Sequence, residues 1–297
     1  MRAARFASQL NFEIAPEVLS SMKDLAHRIS IISAERVRDE FTKIMMSANP
    51  RIGITLLVDS GLADIVLPEI PKLRLEVDEH HHHKDVYEHS ITVLEQAIEH
   101  EDRLGGPNLV IRLAALLHDI GKPKTRAFIE GGGVSFHHHE VVGARLVKKR
   151  LQALRFDNDT IDAVELLTML HLRFHGYGEG EWTDSAVRRY VRDAGEFITH
   201  LHVLTRADCT TRNKAKAARL SATYDSLESR IDVLMEQEEL SKIRPDLDGA
   251  QVMLLLNLKP SREVGQAMDF LMELRLDQGS IGEEAATEAL LKWWASR

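Results

Sequence analysis

Apolar residues recur along this chain at intervals of three and four, and almost never at every second position. Val18, Leu19, Met22 and Leu25 follow Pro16 at helical spacing, and Val37, Phe41, Ile44 and Met45 follow Ser33. Ile91, Leu94 and Ile98 stripe the segment after Asp85, and Leu109 to Leu117 is apolar almost all round. The punctuation agrees. Pro16 suits a first helical turn, Ser33, Asp85 and Asn108 suit N-caps, and Asn49-Pro50, Gly61 and Gly105-Gly106-Pro107 mark ends. The pattern predicts helices over 34–46, 52–60 and 86–100, and from Asn108 to His118-Asp119. It predicts more at about 139–154, 158–173, 184–193, 196–209 and 213–240, then two opening at Asp248 and at Pro260-Ser261-Arg262. Pro68 and Pro71 predict an irregular stretch, and Glu130 to Val134 reads as a flexible loop or a small hairpin. No alternating Val-rich run bounded by turn pairs is present, so the expected fold class is all-α. A composition shift at 72–85 divides an N-terminal helical piece, 1–75, from a His-rich piece, 76–240. A weaker shift near 241–248 sets off a helical tail, 241–297.

Composition narrows the class. With 297 residues, 44% hydrophobic and 28% charged, the chain has an ordinary globular balance and length enough for one large or two modest domains. No apolar run approaches the roughly 20 residues that span a bilayer, so no membrane partner is expected. The start, Met1 to Phe6, has no apolar core of a signal peptide. The single cysteine, Cys209, excludes an internal disulfide and suits a reducing compartment, so the expected location is cytoplasmic. A net charge of −8 argues against wholesale wrapping of nucleic acid but leaves room for local basic patches.

The sharpest chemical signal is Leu116-Leu117-His118-Asp119-Ile120-Gly121-Lys122. Neighbours on a helix point about 100° apart, so His118 and Asp119 converge on one ion best where the helix ends, and Gly121 supplies an ending. Further ligand types lie along the chain. His89 sits one turn inside its predicted helix. Of His137, His138 and His139, at most two can reach one centre; His139, at the start of an amphipathic helix, is preferred over His138. His171 and His175 share a helix face, and His171, nearer the apolar run Val164 to Leu170, is preferred. Asp208 ends another apolar helix and reads as a cap or a ligand. Each residue alone has a bland alternative, a solvated histidine or a surface carboxylate. Together His89, His118, Asp119, His139, His171 and Asp208 put six donors of suitable type on five helical segments. Such a mixed N and O set suits one or two divalent cations, Mg, Mn, Ni or Co, and phosphoester hydrolysis. His118 and Asp119 would be the catalytic pair, and Lys122 either meets the phosphate or is solvated. The run His80-His81-His82-His83 reads mainly as a polar segment near the mouth of the site. No Gly-x-Gly-x-x-Gly, Walker or Gly-x-Ser-x-Gly pattern is present, and Cys209 shows no sign of being a nucleophile.

Basic residues gather in several places. Arg2, Arg5, Arg36 and Arg38 lie near the start. Arg145, Lys148, Lys149, Arg150 and Arg155 form one cluster, Arg188, Arg189 and Arg192 a second, and Arg206, Arg212, Lys214, Lys216 and Arg219 a third. Any one cluster is simply a solvated face. Several together in an acidic chain suit an RNA backbone, with Arg2, Arg5, Arg36, Arg38, Lys148, Lys149 and Arg150 as the candidate contacts.

Met1-Arg2-Ala3-Ala4-Arg5-Phe6-Ala7-Ser8-Gln9-Leu10-Asn11-Phe12 resembles the neck of the bacterial tRNA CCA-adding enzymes and their poly(A) polymerase relatives. Ser33-Ala34-Glu35-Arg36-Val37-Arg38-Asp39-Glu40 resembles that family's later neck motif. Leu57-Val58-Asp59-Ser60-Gly61-Leu62 and Val66-Leu67-Pro68-Glu69-Ile70 are similar to its body. Leu247-Asp248-Gly249 and Leu258-Lys259-Pro260-Ser261-Arg262-Glu263-Val264-Gly265 are similar to its tail, and the histidine set to the HD-type hydrolase domain that some members carry. The resemblance runs over essentially the whole chain. It implies a neck and body over 1–75 that bind RNA, an HD-type metal-dependent phosphohydrolase over 76–240, and a helical tail. It also implies tRNA or other RNA as partner; a homodimer is a separate expectation. The family's nucleotidyltransferase head and its Glu-Asp-x-x-Arg motif are not among these residues, so no residue here takes the polymerising role, and Arg36 and Glu40 would only brace the neck. The expectation is a fragment of a longer protein or a headless one. Three functions follow: the tRNA-holding and HD portion of a CCA-adding enzyme, a stand-alone phosphohydrolase acting on nucleotide or RNA-end phosphates, or a helical RNA-binding module stapled by its metal.

Overall fold

The structure, a computed structural model, describes residues 1–75, 85–129, 133–174, 182–211, 213–238 and 243–297. His80 to His83, His175, Arg212 and residues 130–132 of the predicted loop lie outside the described residues. Among the described residues the chain is all-α apart from one small hairpin. In order the helices are α1 (Arg2–Leu10), α2 (Pro16–Asp24), α3 (Ala34–Met45), α4 (Pro50–Asp59), α5 (Leu62–Val66), α6 (Glu69–Lys72), α7 (Val86–Glu99), α8 (Leu109–Leu117), α9 (Lys122–Thr125), α10 (His139–Ala153), α11 (Asn158–Leu170), α12 (Asp184–Ala194), α13 (Ile198–Asp208), α14 (Lys214–Glu238), α15 (Gly249–Leu256), α16 (Arg262–Gln278) and α17 (Gly282–Ala295). Strands β1 (Ala127–Phe128) and β2 (Val134–Ser135) pair antiparallel, Ala127 opposite Ser135 and Phe128 opposite Val134. Among the described residues no helix is long and apolar enough to cross a membrane.

Most predicted helix starts appear where the capping chemistry put them. The side chains of Asp85, Asn108 and Asp157 accept from Tyr87, Ile111 and Thr160 backbone N–H groups, and Asp248 forms a reciprocal capping box with Gln251. Ser33 stands at its N-cap position but makes no side-chain cap bond; its hydroxyl bonds the Glu35 carboxylate instead. The stretch with Pro68 and Pro71 is two short helical turns rather than irregular chain. Pro68 is the N-cap of α6 and Pro71 lies in its first turn, where a missing N–H costs nothing.

The chain divides into two compact units: Met1–Phe174 with Glu196–Ala218, and His175–Gly195 with Arg219–Arg297. In the first, α1 packs on α3 and α4, α8 packs on α7, α11 and α13, and α10 packs on α11. Every residue of α8 from Ile111 to Leu117 is buried, which is why its sequence lacks a polar face. Arg112 is the lone charge in that run. Its guanidinium donates to both carboxylate oxygens of buried Glu101, at 2.6 and 2.7 Å, and to the carbonyls of Met45 and Ser47, at 2.7 and 2.9 Å. These bonds tie the end of α3 to the helix whose C-terminus carries His118 and Asp119.

In the second unit Val252, Ala267, Leu271, Ala286 and Leu290 form a core shared by α15, α16 and α17. The predicted basic cluster on α12 is spent on α16. Arg188 donates to the Leu276 carbonyl at 3.1 Å, Arg189 pairs with Glu273 and Asp277, and Arg192 with Glu273.

Candidate metal centre

Five helices of the first unit deliver side chains to one buried point. His118 is the C-cap of α8, and the chain leaves the helix axis through Asp119 and Ile120. Gly121 does not end the helix with a left-handed turn; its φ is −75°. It is glycine because a Cβ there would lie 2.1 Å from the His139 carbonyl oxygen and 2.7 Å from the Gly143 nitrogen. That close approach sets the start of α10 against the end of α8. His138, at φ 61°, turns the chain so that His139 opens α10 pointing inward. His171 is the C-cap of α11, His89 lies in the first turn or two of α7, and Asp208 is the last residue of α13.

Asp119 is the hub, and its two oxygens face different partners. Oδ2 lies 3.2 Å from His118 Nε2, 3.6 Å from His89 Nε2 and 3.0 Å from Lys122 Nζ. Oδ1 lies 3.2 Å from His139 Nε2 and 4.0 Å from His171 Nε2. Asp208 Oδ1 completes the first side, 2.9 Å from His89 Nε2 and 3.7 Å from His118 Nε2. Two donor groups result, His89 with His118 and Asp208, and Asp119 with His139 and His171, the ligand atoms of each within 4.8 Å of one another.

Three rings are locked in one tautomer. The Nδ1–H groups of His118, His139 and His171 donate to the carbonyls of Ala115, Phe136 and Thr168, at 2.9, 2.8 and 2.6 Å. A carbonyl only accepts, so Nδ1 carries a proton in each ring and Nε2 is the atom left to take a cation or a second proton at the centre. His139 Nε2 and His171 Nε2 then face each other at 3.3 Å, two lone pairs that require a cation or a proton between them. His118 Nε2 is buried without a hydrogen-bond partner, and Asp119 Oδ2 has only its ion pair with Lys122. Orphaned acceptors converging in a buried pocket fit a divalent cation.

Electrostatics point the same way. Burial disfavours the His118 imidazolium, but Asp119 and Asp208 outweigh it and lift its pKa to about 9. Burial also works against the Asp119 carboxylate, yet His118 and Lys122 hold it well below the usual carboxylate range. Asp208 is lowered too, with burial offset by His89 and His118. Burial, then the neighbouring His118, pushes His171 down to about 3. Without metal the two carboxylates stay ionised against the His118 imidazolium and the Lys122 ammonium, and a divalent cation would take the place of the His118 proton.

All six residues read from the sequence as ligands meet here. His138 does not: its side chain is 82% exposed, 3.8 Å from Glu140. Lys122 stands at the edge, 12% exposed, and packs over the Phe136 ring. Cys209, beside Asp208, has its thiol pushed up by burial, which suits no nucleophile. The candidate RNA contacts are divided. Arg2, Arg36 and Lys149 are exposed. Arg5 pairs with Glu40 at 2.8 Å, bracing α1 against α3, and Arg150 grips Glu69 through two bonds. Lys148 pairs with Glu165, and Arg38 reaches Asp39 and the Arg155 carbonyl.

Residues 86–213, which carry all six, match the HD domain family. Residues 11–73 match the family described as "Probable RNA and SrmB- binding site of polymerase A". Over 99% of its length the chain is 31% identical to the A-adding tRNA nucleotidyltransferase of Deinococcus radiodurans, covering 67% of that protein. The chain belongs to the bacterial tRNA nucleotidyltransferase family. Another member, the CC-adding tRNA nucleotidyltransferase of Thermus thermophilus, is 30% identical over 99% of the chain. This tRNA nucleotidyltransferase family chain thus spans about two thirds of the curated relatives it matches, 67% and 65%. Its fold is shared with the crystal structure of the Bacillus stearothermophilus CCA-adding enzyme in complex with CTP. The TM-score is 0.64 at 17% identity, over 100% of this chain and 61% of that one.

Proposed function

We propose that the chain serves tRNA 3′-end maturation as the tRNA-holding and HD portion of a nucleotidyltransferase, and that its HD centre is a divalent-metal phosphoesterase acting on nucleotide or RNA-end phosphates. Residues 1–75 form the RNA-binding neck and body, 76–240 the hydrolase and 241–297 the tail. The observation that carries the hydrolase reading is Asp119, which turns one oxygen to His89 and His118 and the other to His139 and His171. His89, His118 and Asp208 would hold one divalent cation, and Asp119, His139 and His171 a second. Four imidazoles among six ligands favour Mn, Co or Ni over Mg, which prefers oxygen and keeps its water.

A bound cation supplies Lewis-acid polarisation of a phosphate oxygen and an acidified water. The chain's residues do the rest. Three main-chain carbonyls fix three imidazoles. Asp119 keeps the histidines in register. Lys122 Nζ, at the edge of the pocket, offers its ammonium to a non-bridging phosphate oxygen. Exposed Arg2, Arg36 and Lys149 contact RNA phosphates, while the ion-paired Arg5, Arg38, Lys148 and Arg150 hold the surface that presents them. The setting is the cytoplasm, with tRNA or its ends as substrate.

The test is hydrolysis of a 2′,3′-cyclic nucleotide and a 3′-phosphorylated RNA by chain stripped of metal and reloaded with Mn, Co or Ni. Turnover that needs the metal and vanishes in Asp119→Ala, with helicity intact, supports the reading. Undiminished turnover in that variant refutes it.

A further inference from the structure

His89 is held differently from the other three histidines. Those three donate Nδ1–H to carbonyls three residues back in their own helix or turn. His89 Nδ1 instead meets the Thr210 hydroxyl, 3.2 Å away and 121 positions along the chain. Its Nε2 lies 2.9 Å from Asp208 Oδ1. Asp208, Cys209 and Thr210 form one turn at the end of α13, closed by a bond from the Thr210 N–H to the Asp208 carbonyl at 2.8 Å. A single turn therefore grips both nitrogens of one ring from opposite edges. We propose that Thr210 is a positioning residue of the metal centre. By hydrogen-bonding His89 Nδ1 through its hydroxyl it fixes the orientation of the ring and sets the aim of that ligand.

Two features of the chain support this. His89 is the least enclosed of the four rings, 15% exposed against 1% for His118 and His171, so packing alone does least to orient it. A hydroxyl also both donates and accepts, so it permits either His89 tautomer, whereas the three carbonyls permit one. The imidazole in the first cation position is consequently set by a bond that can reverse, and it is the ligand most ready to detach and rebind. Loss of such an outer partner typically costs 10- to 100-fold in metal affinity.

The inference rests on the metal-centre reading above, and its test separates the two. Thr210→Val removes the hydroxyl at nearly constant volume, and Thr210→Ser restores it. Mn binding is measured by calorimetry on the full chain, and the hydrogen bond at His89 Nδ1 by nitrogen-15 NMR of the imidazoles without metal. The expected result is one Mn bound at least tenfold more weakly in Thr210→Val, with the second ion retained. Alongside it, the His89 Nδ1 signal shifts as its hydroxyl partner is lost, and both effects reverse in Thr210→Ser. Unchanged Mn affinity together with an unchanged His89 Nδ1 signal in Thr210→Val overturns the proposal. So does equal weakening of both ions with a lowered melting temperature, the mark of a structural role only. Wild-type chain that binds no Mn refutes the metal-centre reading itself, while the Nδ1 measurement still judges Thr210.

Discussion

Gly121→Ala separates close packing from chain flexibility as the reason for that glycine. The new methyl would sit 2.1 Å from the His139 carbonyl oxygen and 2.7 Å from the Gly143 nitrogen, both main-chain atoms that no rotamer change can move. Reaching ordinary contact at 3.4 Å requires the end of α8 and the start of α10 to part by more than about 1 Å. Asp119, two residues upstream, moves with α8, and His139 moves with α10, so their 3.2 Å approach is lost. Metal ligand distances tolerate only about 0.2 Å, so affinity at the Asp119, His139 and His171 position falls well over tenfold. Overpacking of this kind costs about 3 kcal/mol, which corresponds to a melting temperature lower by roughly 6–12 °C. Gly143→Ala is the control. Its methyl meets Thr168 Cγ2 at 3.3 Å and the Gly121 nitrogen at 3.4 Å, a mild crowding that the better helix propensity of alanine, worth about 1 kcal/mol, largely offsets. The assay is a thermal melt with and without Mn on both variants. Gly121→Ala with wild-type melting and a wild-type shift on adding Mn would refute the reasoning.

Glu101→Ala leaves Arg112 buried beside two carbonyls with its charge uncompensated, so stability falls by about 3–5 kcal/mol; denaturant unfolding that shows less than about 1 kcal/mol would mean the pair is dispensable. In chelator the melting temperature peaks near pH 6.5. The contribution of His118, raised to about 9, is complete below 6.5 and lost as pH climbs through 9. Those of His171, pushed to about 3, and of His200, also lowered, are complete above 6.5 and lost as pH falls below it. A melting temperature that only rises or only falls across that range contradicts this balance. Arg36→Glu and Lys149→Glu each weaken tRNA binding at low salt and reduce the salt slope by about one; Arg5→Ala instead loosens α1 from α3 and shows first as lost stability.

The six side chains that the structure gathers at one point were legible in the sequence because the signals for them are local. His118-Asp119 closes an apolar run, and Asp85 and Asn108 announce the helices that carry His89 and His118. Preference for His139 over His138 rested on the onset of an amphipathic helix, and the left-handed His138 is the backbone reason the structure adds. What stayed hidden depends on distant partners. Gly121 reads as a helix stop, but its requirement comes from a carbonyl on α10. A lone Arg112 in an apolar helix signals a buried pair, but nothing local names Glu101, Met45 and Ser47. Thr210 carries no signal until the fold sets it beside His89. Pro68 and Pro71 were misleading because proline is a breaker only beyond the first turn. The basic clusters could be counted from sequence, but whether Arg188, Arg189 and Arg192 face solvent or α16 could not.

The most direct test of the central claim is the metal content of purified chain loaded with cobalt and dialysed, counted per chain by mass spectrometry. Two cobalt ions per wild-type chain, falling to at most one in Asp119→Ala and in His139→Ala, is the predicted result. Wild-type chain that retains no cobalt, or equal retention in all three, would contradict the claim that these six side chains form one metal centre.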